Sequence, residues 1–88
     1  MLKGKTKSGF EFEIDKTRLD DMEFVEALAD VEENFLKFPK VCEMLLGKEQ
    51  KKKLYDHLRT EDGKVPVGLM NETITEIMIL AGESTKNS

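Results

Sequence analysis

The beginning of the chain alternates between apolar and charged side chains, the pattern of a β-strand with one buried face. The apolar positions are Phe10, Phe12 and Ile14, with acidic residues between them. If residues 7–9 form a three-residue loop, Gly9 can take the left-handed conformation that such a loop needs. The sequence therefore predicts a β-hairpin over residues 1–15. Its register places three pairs opposite each other: Lys3 with Glu13, Lys5 with Glu11, and Thr6 with Phe10.

The next segment has apolar positions spaced by three and four residues, as in an amphipathic helix. Asp20 is the predicted N-cap, and Glu23 can close a capping box with it. Leu19 and Phe24 stand at the separation of a hydrophobic staple. The apolar arc of this helix is wide and comprises Phe24, Leu28, Val31 and Phe35, broadened by Met22, Val25, Ala29 and Leu36. Glu32 lies within the arc, and we expect its stem to pack while its carboxylate reaches solvent.

A proline and a glycine divide the middle of the chain. Phe38-Pro39 predicts a corner at which a second helix begins, because proline fits the first turn of a helix but not its interior. Gly47 is a natural C-terminal stop for that helix. A third helix is expected over residues 48–59, followed by a polar loop at residues 60–64.

The last predicted helix runs from Val65 and Pro66 to Gly82 and carries more apolar side chains than one buried face needs. Its predicted core face comprises Val67, Met70, Ile74, Ile77, Met78 and Ala81. Other positions lie outside that face: Leu69, Thr73 and Leu80 in a second stripe, and Ile79 alone. This surplus indicates either a partner-binding surface or a central helix that is contacted from several sides.

We therefore expect a mainly α protein of about four helices with a short N-terminal β-hairpin. One domain should cover residues 1–82, with the hairpin at 1–15 and the helices at 20–82, followed by a flexible tail at 83–88. A domain of this length buries only about 60 to 65% of its unfolded surface. Small cores commonly gain stability from disulfides, metals or self-association. Cys42 is the only cysteine and no zinc-binding cluster exists, so we expect a homo-oligomer.

No group of residues in the sequence predicts catalysis or cofactor binding. The glycines are scattered singly, so a phosphate-binding loop is absent. His57 neighbours Asp56 without a nucleophile, and Cys42 lies in an apolar stretch typical of a packed thiol. The acidic pairs match neither a calcium loop nor a two-carboxylate acid/base site. We expect no enzymatic activity, no cofactor and no metal.

The net charge of −4, from 14 basic and 18 acidic side chains, disfavours nucleic-acid binding. The one basic run, at residues 48–53, is interpreted as the solvent-facing side of a helix. The apolar runs are too short to span a bilayer, and the N-terminus lacks the apolar core of a signal peptide, so a cytosolic protein without membrane contact is expected. The alternatives are a small nucleic-acid-binding regulator, with these lysines on phosphate beside Tyr55, and an adaptor subunit whose partner holds the chemistry.

The order of features along the chain resembles that of the small tail assembly chaperones of long-tailed phages infecting Gram-positive bacteria. The resemblance spans most of the chain and lies in its length and element order. Its parts are the charged hairpin, the acidic helix start at residues 19–23, the Phe38-Pro39 corner, the Leu45-Leu46-Gly47 stop followed by residues 49–51, the turn at residues 63–66, and the Lys86-Asn87-Ser88 ending.

The resemblance implies a non-catalytic protein of virion morphogenesis that binds and solubilises the tape measure protein before the tail tube polymerises. It implies a helical, oligomer-forming protein of the host cytoplasm that is absent from the mature virion. A tape measure chain is rich in amphipathic helix, which a groove on the chaperone can receive. The predicted groove is lined by Phe35, Phe38, Leu69, Ile79 and Leu80.

Overall fold

The protein is mainly helical, with an antiparallel two-stranded hairpin at its N-terminus. The computed structural model describes residues 1–86, with side-chain surroundings given for residues 1–82. The elements are β1 (Leu2–Lys5), β2 (Glu11–Ile14), α1 (Met22–Glu33), α2 (Phe38–Leu58) and α3 (Val67–Lys86). Short 3-10 turns at Lys16–Arg18 and Phe35–Lys37 flank α1. The backbone of α3 continues beyond Gly82, where the sequence predicted its end, and residues 87–88 of the expected tail lie outside the described residues.

The N-terminal hairpin has the predicted register. The charged pairs oppose each other as expected: Lys3 with Glu13, and Lys5 with Glu11. The Thr6 amide donates to the Phe10 carbonyl oxygen at 2.9 Å, and Gly9 has a φ of 93°, as the short loop requires. One face of the hairpin is buried: Leu2, Thr6, Phe10, Phe12 and Ile14.

A side chain of α2 covers part of the free edge of β2. Gln50 accepts a hydrogen bond from the Glu13 amide through Oε1 at 2.7 Å, and its Nε2 donates to the Glu13 carbonyl oxygen. The same nitrogen donates to the Leu46 carbonyl oxygen within α2. The amide group therefore pairs with the strand as the backbone of a third strand would.

The first helix begins one residue later than the sequence predicted. Its N-cap is Asp21, whose carboxylate accepts a hydrogen bond from the Glu23 amide at 3.0 Å. The predicted capping box between Asp20 and Glu23 is therefore wrong. Both aspartates have a side chain suited to capping. The 3-10 turn at residues 16–18 ends at Leu19, and the first helical residue after it is Met22, which makes Asp21 the cap. Leu19 and Phe24 both join the core, although the displaced cap puts them out of staple spacing.

The buried face of α1 is narrower than the apolar arc in its sequence. The residues that reach the core are Phe24, Ala27, Leu28 and Val31. Met22 and Val25 lie on the exposed side, and Glu32 is exposed as expected. Helical spacing alone does not give the width of a buried face, so the outer residues of the arc were assigned to the wrong environment.

Three α-helices are present in the described residues, where about four were expected, because α2 is one element with a break at Gly47. Pro39 lies in its first turn, as predicted. Gly47 has φ 82° and ψ 164°, a combination that is essentially restricted to glycine. Leu45 and Leu54 are both fully buried. They are about two and a half helical turns apart, so in an uninterrupted helix they would lie on opposite faces. The break directs both of them into the core.

Arg18 supports the chain at this break. Its Nη1 donates to the Leu45 carbonyl oxygen at 3.1 Å. A carbonyl near a helix break has lost its regular amide partner and needs another donor. The guanidinium also lies beside Gly47, so one side chain from the segment before α1 stabilises the turn in α2.

The core face of α3 is largely the predicted one. It comprises Met70, Ile74, Ile77 and Ala81, with Met78 at its edge. Val67, the first residue of α3, was expected in this face but is 62% exposed. Thr73 is buried, and its hydroxyl donates to the Leu69 carbonyl oxygen at 2.7 Å. Within the described range, no helix is long and apolar enough to cross a membrane.

Candidate protein-binding surface

The five residues predicted to form one groove lie in different places on the surface. Phe35 and Phe38 line a concavity at the start of α2. Ile79 and Leu80 line a second concavity on α3. Leu69 lines neither of the two, although it is half exposed. The structure therefore brings four of the five predicted residues together as two separate pairs and leaves Leu69 apart from both.

The first concavity, which we call the corner concavity, has a volume of about 390 Å³ and an almost entirely apolar lining. The residues that line it are Phe35, Leu36, Phe38, Pro39, Tyr55, Val65, Val67 and Met70. They come from the 3-10 turn after α1, both halves of α2 and the start of α3. A recess with this composition favours apolar side chains from another molecule.

Asn34 positions Phe35 and Leu36, two of the exposed apolar residues of the corner concavity. The backbone N–H of Asn34 donates to the Asp30 carbonyl oxygen at 2.9 Å, and α1 ends there. Its Oδ1 then accepts a hydrogen bond from the Leu36 amide at 3.1 Å, which starts the 3-10 turn. Phe35 and Leu36 were expected to continue the helix, but this cap places them on a turn that faces outward.

Phe35 is held against Phe38 by ring stacking. The ring centroids are 5.0 Å apart and the planes differ by 16°. Phe38 is 8% exposed whereas Phe35 is 45% exposed. Phe38 is therefore part of the core that forms the floor, and Phe35 is a fixed rim of the concavity. Stacked pairs of this kind contribute about 0.5–1.5 kcal/mol beyond area burial.

The sequence neighbours of the lining residues include three exposed lysines, Lys37, Lys40 and Lys64. The carboxylate that adjoins the lining, Asp56, is paired with Arg59 at 3.2 Å. The surroundings of the concavity thus differ from the chain as a whole, which has a net charge of −4.

The second concavity, which we call the α3 shelf, is more polar. Its lining comprises Lys7, Asn71, Glu72, Thr75, Glu76, Ile79 and Leu80. The Lys7 amide donates to Glu76 Oε2 at 2.8 Å, so the hairpin loop forms one side of the shelf. Ile79 is exposed, while Leu80 packs partly against the core. An aliphatic strip bordered by hydrogen-bonding groups suits the edge of a protein interface.

The reactive side chains are not assembled into a catalytic group. Cys42 is buried, and burial raises the pKa of its thiol to about 11. His57 Nε2 lies 3.1 Å from Ser8 Oγ, but the neighbouring Asp56 is paired with Arg59. No cluster of metal-ligating side chains occurs among the described residues.

The basic run on α2 occupies the solvent-facing side that the sequence predicted. Lys48, Lys52 and Lys53 are exposed. Lys51 is partly covered, and its Nζ lies 5.6 Å from the centroid of the Tyr55 ring. This contact is a cation–π interaction within the protein. Tyr55 is also part of the corner concavity.

Sequence reasoning missed several residues of the corner concavity. Tyr55, Val65 and Val67 line it, although they come from separate parts of the chain. Val67 was assigned to the core by its helical spacing. The sequence does place Val67 directly after Pro66, at the N-terminal end of the predicted helix, where spacing is a weaker guide to burial than in the middle of a helix.

Comparison of the chain with protein-family models, with curated proteins and with solved structures finds no match. The assignment of the surfaces therefore rests on their geometry and charge.

Proposed function

We propose that this protein is a tail assembly chaperone of a long-tailed phage, which binds the tape measure protein and keeps it soluble until the tail tube polymerises. The observation that carries the proposal is the open corner concavity, an apolar recess in a chain of only 88 residues. A small domain has little apolar surface to spare, so leaving such a recess open points to a partner. The proposed role is non-catalytic and needs no cofactor.

The proposed ligand is an amphipathic helix of the tape measure protein. Such a helix presents apolar side chains every three or four residues, which suit a short recess with a rigid rim. Phe35 would contact the ligand at the rim, and Phe38 would form the floor. Leu69, Ile79 and Leu80 would contact neighbouring turns of the tape measure chain. Affinity per copy should be moderate and raised by repetition along the ligand, because the chaperone must leave when the tube forms.

The proposal also places the protein in the host cytoplasm during infection and outside the mature virion, and treats it as a homo-oligomer. Association would let several copies cover one extended ligand, so that weak single contacts add up to stable binding. A chaperone that leaves at tube polymerisation is not retained in the particle. Purified virions should therefore lack the protein, whereas lysates taken before tail assembly should contain it.

The experiment is co-expression with the tape measure protein encoded beside its gene, followed by size exclusion with light scattering. Soluble co-elution with several copies per tape measure chain is expected, with the tape measure protein insoluble when expressed alone. A chaperone that elutes without its partner, while the partner stays insoluble, would refute the proposal.

Two substitutions locate the binding surface. Phe35→Asp and Leu69→Asp introduce a charge at exposed positions, so both should abolish co-elution while helicity by circular dichroism is unchanged. Phe38 and Leu80 are less suitable, since they pack against the core. Lys52→Asp, at an exposed position on α2, is the control and should bind normally. Unaltered binding by both test variants would place the ligand elsewhere.

A nucleic-acid-binding regulator is the second candidate, supported by the exposed lysines of α2. The surface beside them also carries carboxylates, since Glu11, Glu13 and Glu49 share a shallow depression with Lys53. Mixed charge weakens attraction to phosphate. Binding to random DNA that falls steeply with added salt would favour this candidate, and no binding near physiological salt would remove it.

A further inference from the structure

A stripe of exposed apolar side chains runs along the outer face of α1. It consists of Met22, Val25 and Ala29, which are spaced by three and four residues and so lie on one side of the helix. Met22 is 68% exposed. The core-facing side of α1, around Phe24 and Val31, points the other way. We call this outer face the α1 stripe.

The α1 stripe lies in the most acidic part of the chain. Between positions 19 and 36 the sequence has seven carboxylate side chains and no basic side chain. Glu26, Glu32 and Glu33 are exposed and border the stripe on both sides. The stripe is thus an apolar strip flanked by negative charge.

The corner concavity has the complementary properties. Its lining is apolar, and the residues next to the lining in the sequence include the exposed lysines Lys37, Lys40 and Lys64. Lys37 is 3.7 Å from Asp30, whereas Lys40 and Lys64 form no ion pair within the described part of the chain. A helix that inserts apolar side chains there would bring carboxylates to these lysines.

The two surfaces cannot meet within one molecule. The other side of α1 packs against the core, and Asn34 alone separates the end of α1 from the 3-10 turn that forms the rim. The stripe and the concavity are therefore fixed on the same rigid unit. Contact between them requires two molecules.

We propose that the α1 stripe of one copy docks into the corner concavity of a second copy. From Met22 to Ala29 the stripe is about 10 Å long, so only two turns of helix have to approach the recess of about 390 Å³. Docking is of the helix-in-groove type, with Val25 at its centre and Glu26 facing a bordering lysine. A contact of this size belongs to the weak, transient class. It goes beyond the chaperone role, because it concerns the protein without a tape measure chain, whose helix would compete with the α1 stripe for the same concavity.

The test uses two variants that each spoil one of the two surfaces. Val25→Asp places a charge in the stripe, and Val67→Asp places one in the concavity; both positions are exposed, so folding should be retained. The wild-type protein should self-associate as its concentration rises, by light scattering, whereas each variant alone should stay monomeric. A mixture of the two in equal amounts should form a dimer of one copy of each, because one intact stripe then meets one intact concavity. Native mass spectrometry identifies that mixed dimer.

Thr17→Asp is the control, since it adds the same charge at an exposed position outside the α1 stripe, the corner concavity and the α3 shelf. It should associate as the wild type does. If circular dichroism shows that a test variant is unfolded, Met22→Asp replaces the stripe variant and Leu36→Asp the concavity variant. A wild-type protein that stays monomeric up to millimolar concentration overturns the proposal and leaves the concavity to a partner chain. A test variant that associates normally, or a mixture that stays monomeric, overturns it equally.

Discussion

The hairpin and the corner concavity are held in place by different kinds of contact. The hairpin loop is anchored by contacts from distant parts of the chain: the Lys7 amide bonds to Glu76, and Ser8 Oγ lies 3.1 Å from His57. The rim of the corner concavity is shaped by near neighbours, such as Asn34 with Leu36 and Lys37 with Asp30. Non-local contacts tie the hairpin into the fold, while local contacts hold the rim of the corner concavity.

The two regions also differ in whether the protein covers its association-prone surface with its own side chains. A free strand edge invites pairing with other chains, and Gln50 covers the edge of β2 at Glu13. The apolar surface of Phe35 and Leu36 is left uncovered. The structure thus blocks one route to association and leaves another available.

The largest expected effect concerns Cys42, on the helix that forms the floor of the concavity. Its thiol is buried, so a thiol reagent at pH 8 should react at least about a thousandfold more slowly than in urea, because labelling requires opening. Rapid labelling in native buffer would mean that the concavity reaches into the core.

The same thiol should make stability fall at high pH. In the folded protein its pKa is raised by burial from 9.0 to about 11. The unfolded thiol therefore ionises first, and the free energy of unfolding should decrease as the pH rises from about 9 to about 11. Urea unfolding across this range checks the sign. Cys42→Ala should remove this contribution.

Truncating the hairpin core should have the next largest effect. Ile14 is 1% exposed, so Ile14→Ala should lower the free energy of unfolding by about 2–5 kcal/mol. Urea denaturation measures the loss. Thr17→Ala, at an exposed position nearby, is the control and should cost far less. A loss below 1 kcal/mol would mean that the hairpin contributes little to the core.

Gly47→Ala tests the break that aligns the two halves of α2. The positive φ is strained for any side chain, so the substitution should cost about 1–3 kcal/mol. Gly68→Ala is the matched control, because it lies within α3 with nothing within 4 Å of a new Cβ, and it should stabilise the helix by up to about 1 kcal/mol. Equal urea midpoints for the two variants would contradict the described geometry.

The hairpin could be predicted from the sequence nearly in full. Alternating charges and Gly9 give one favourable register, because a slip of one residue would expose the apolar face. The helices were predicted less well at their ends. Asp20 and Asp21 are equally good caps by composition, so only the tertiary structure decides between them.

The candidate surface was the least predictable part. Helical spacing shows which way Val67 points from the axis of α3, but it does not show which turns of that helix are covered by other elements. Met22 and Val25 have the spacing of a core face and still lie outside. The predicted residues Phe35 and Phe38 do meet, because they are close in the chain, whereas Leu69, Ile79 and Leu80 remain separate from them.

The smallest effect on stability should come from the corner itself. Leu36 is 86% exposed, so Leu36→Ala should change the free energy of unfolding by no more than about 0.5 kcal/mol. It should nevertheless weaken self-association, since it removes a lining residue. Urea unfolding and light scattering on the same sample separate the two properties. A large loss of stability would show that the corner supports the fold.

Gly47 also has a consequence for how this protein could vary in length. Its break realigns Leu54 and Leu58 with the apolar side chains before it. Two additional residues in an unbroken helix rotate everything after them by about 200°, which would turn the same leucines inward without a glycine. A glycine at position 47 and a two-residue insertion in an unbroken helix would therefore both turn Leu54 and Leu58 toward the core. A chain with the insertion in place of the glycine could keep this core, although its sequence would align with this one only across a gap in α2.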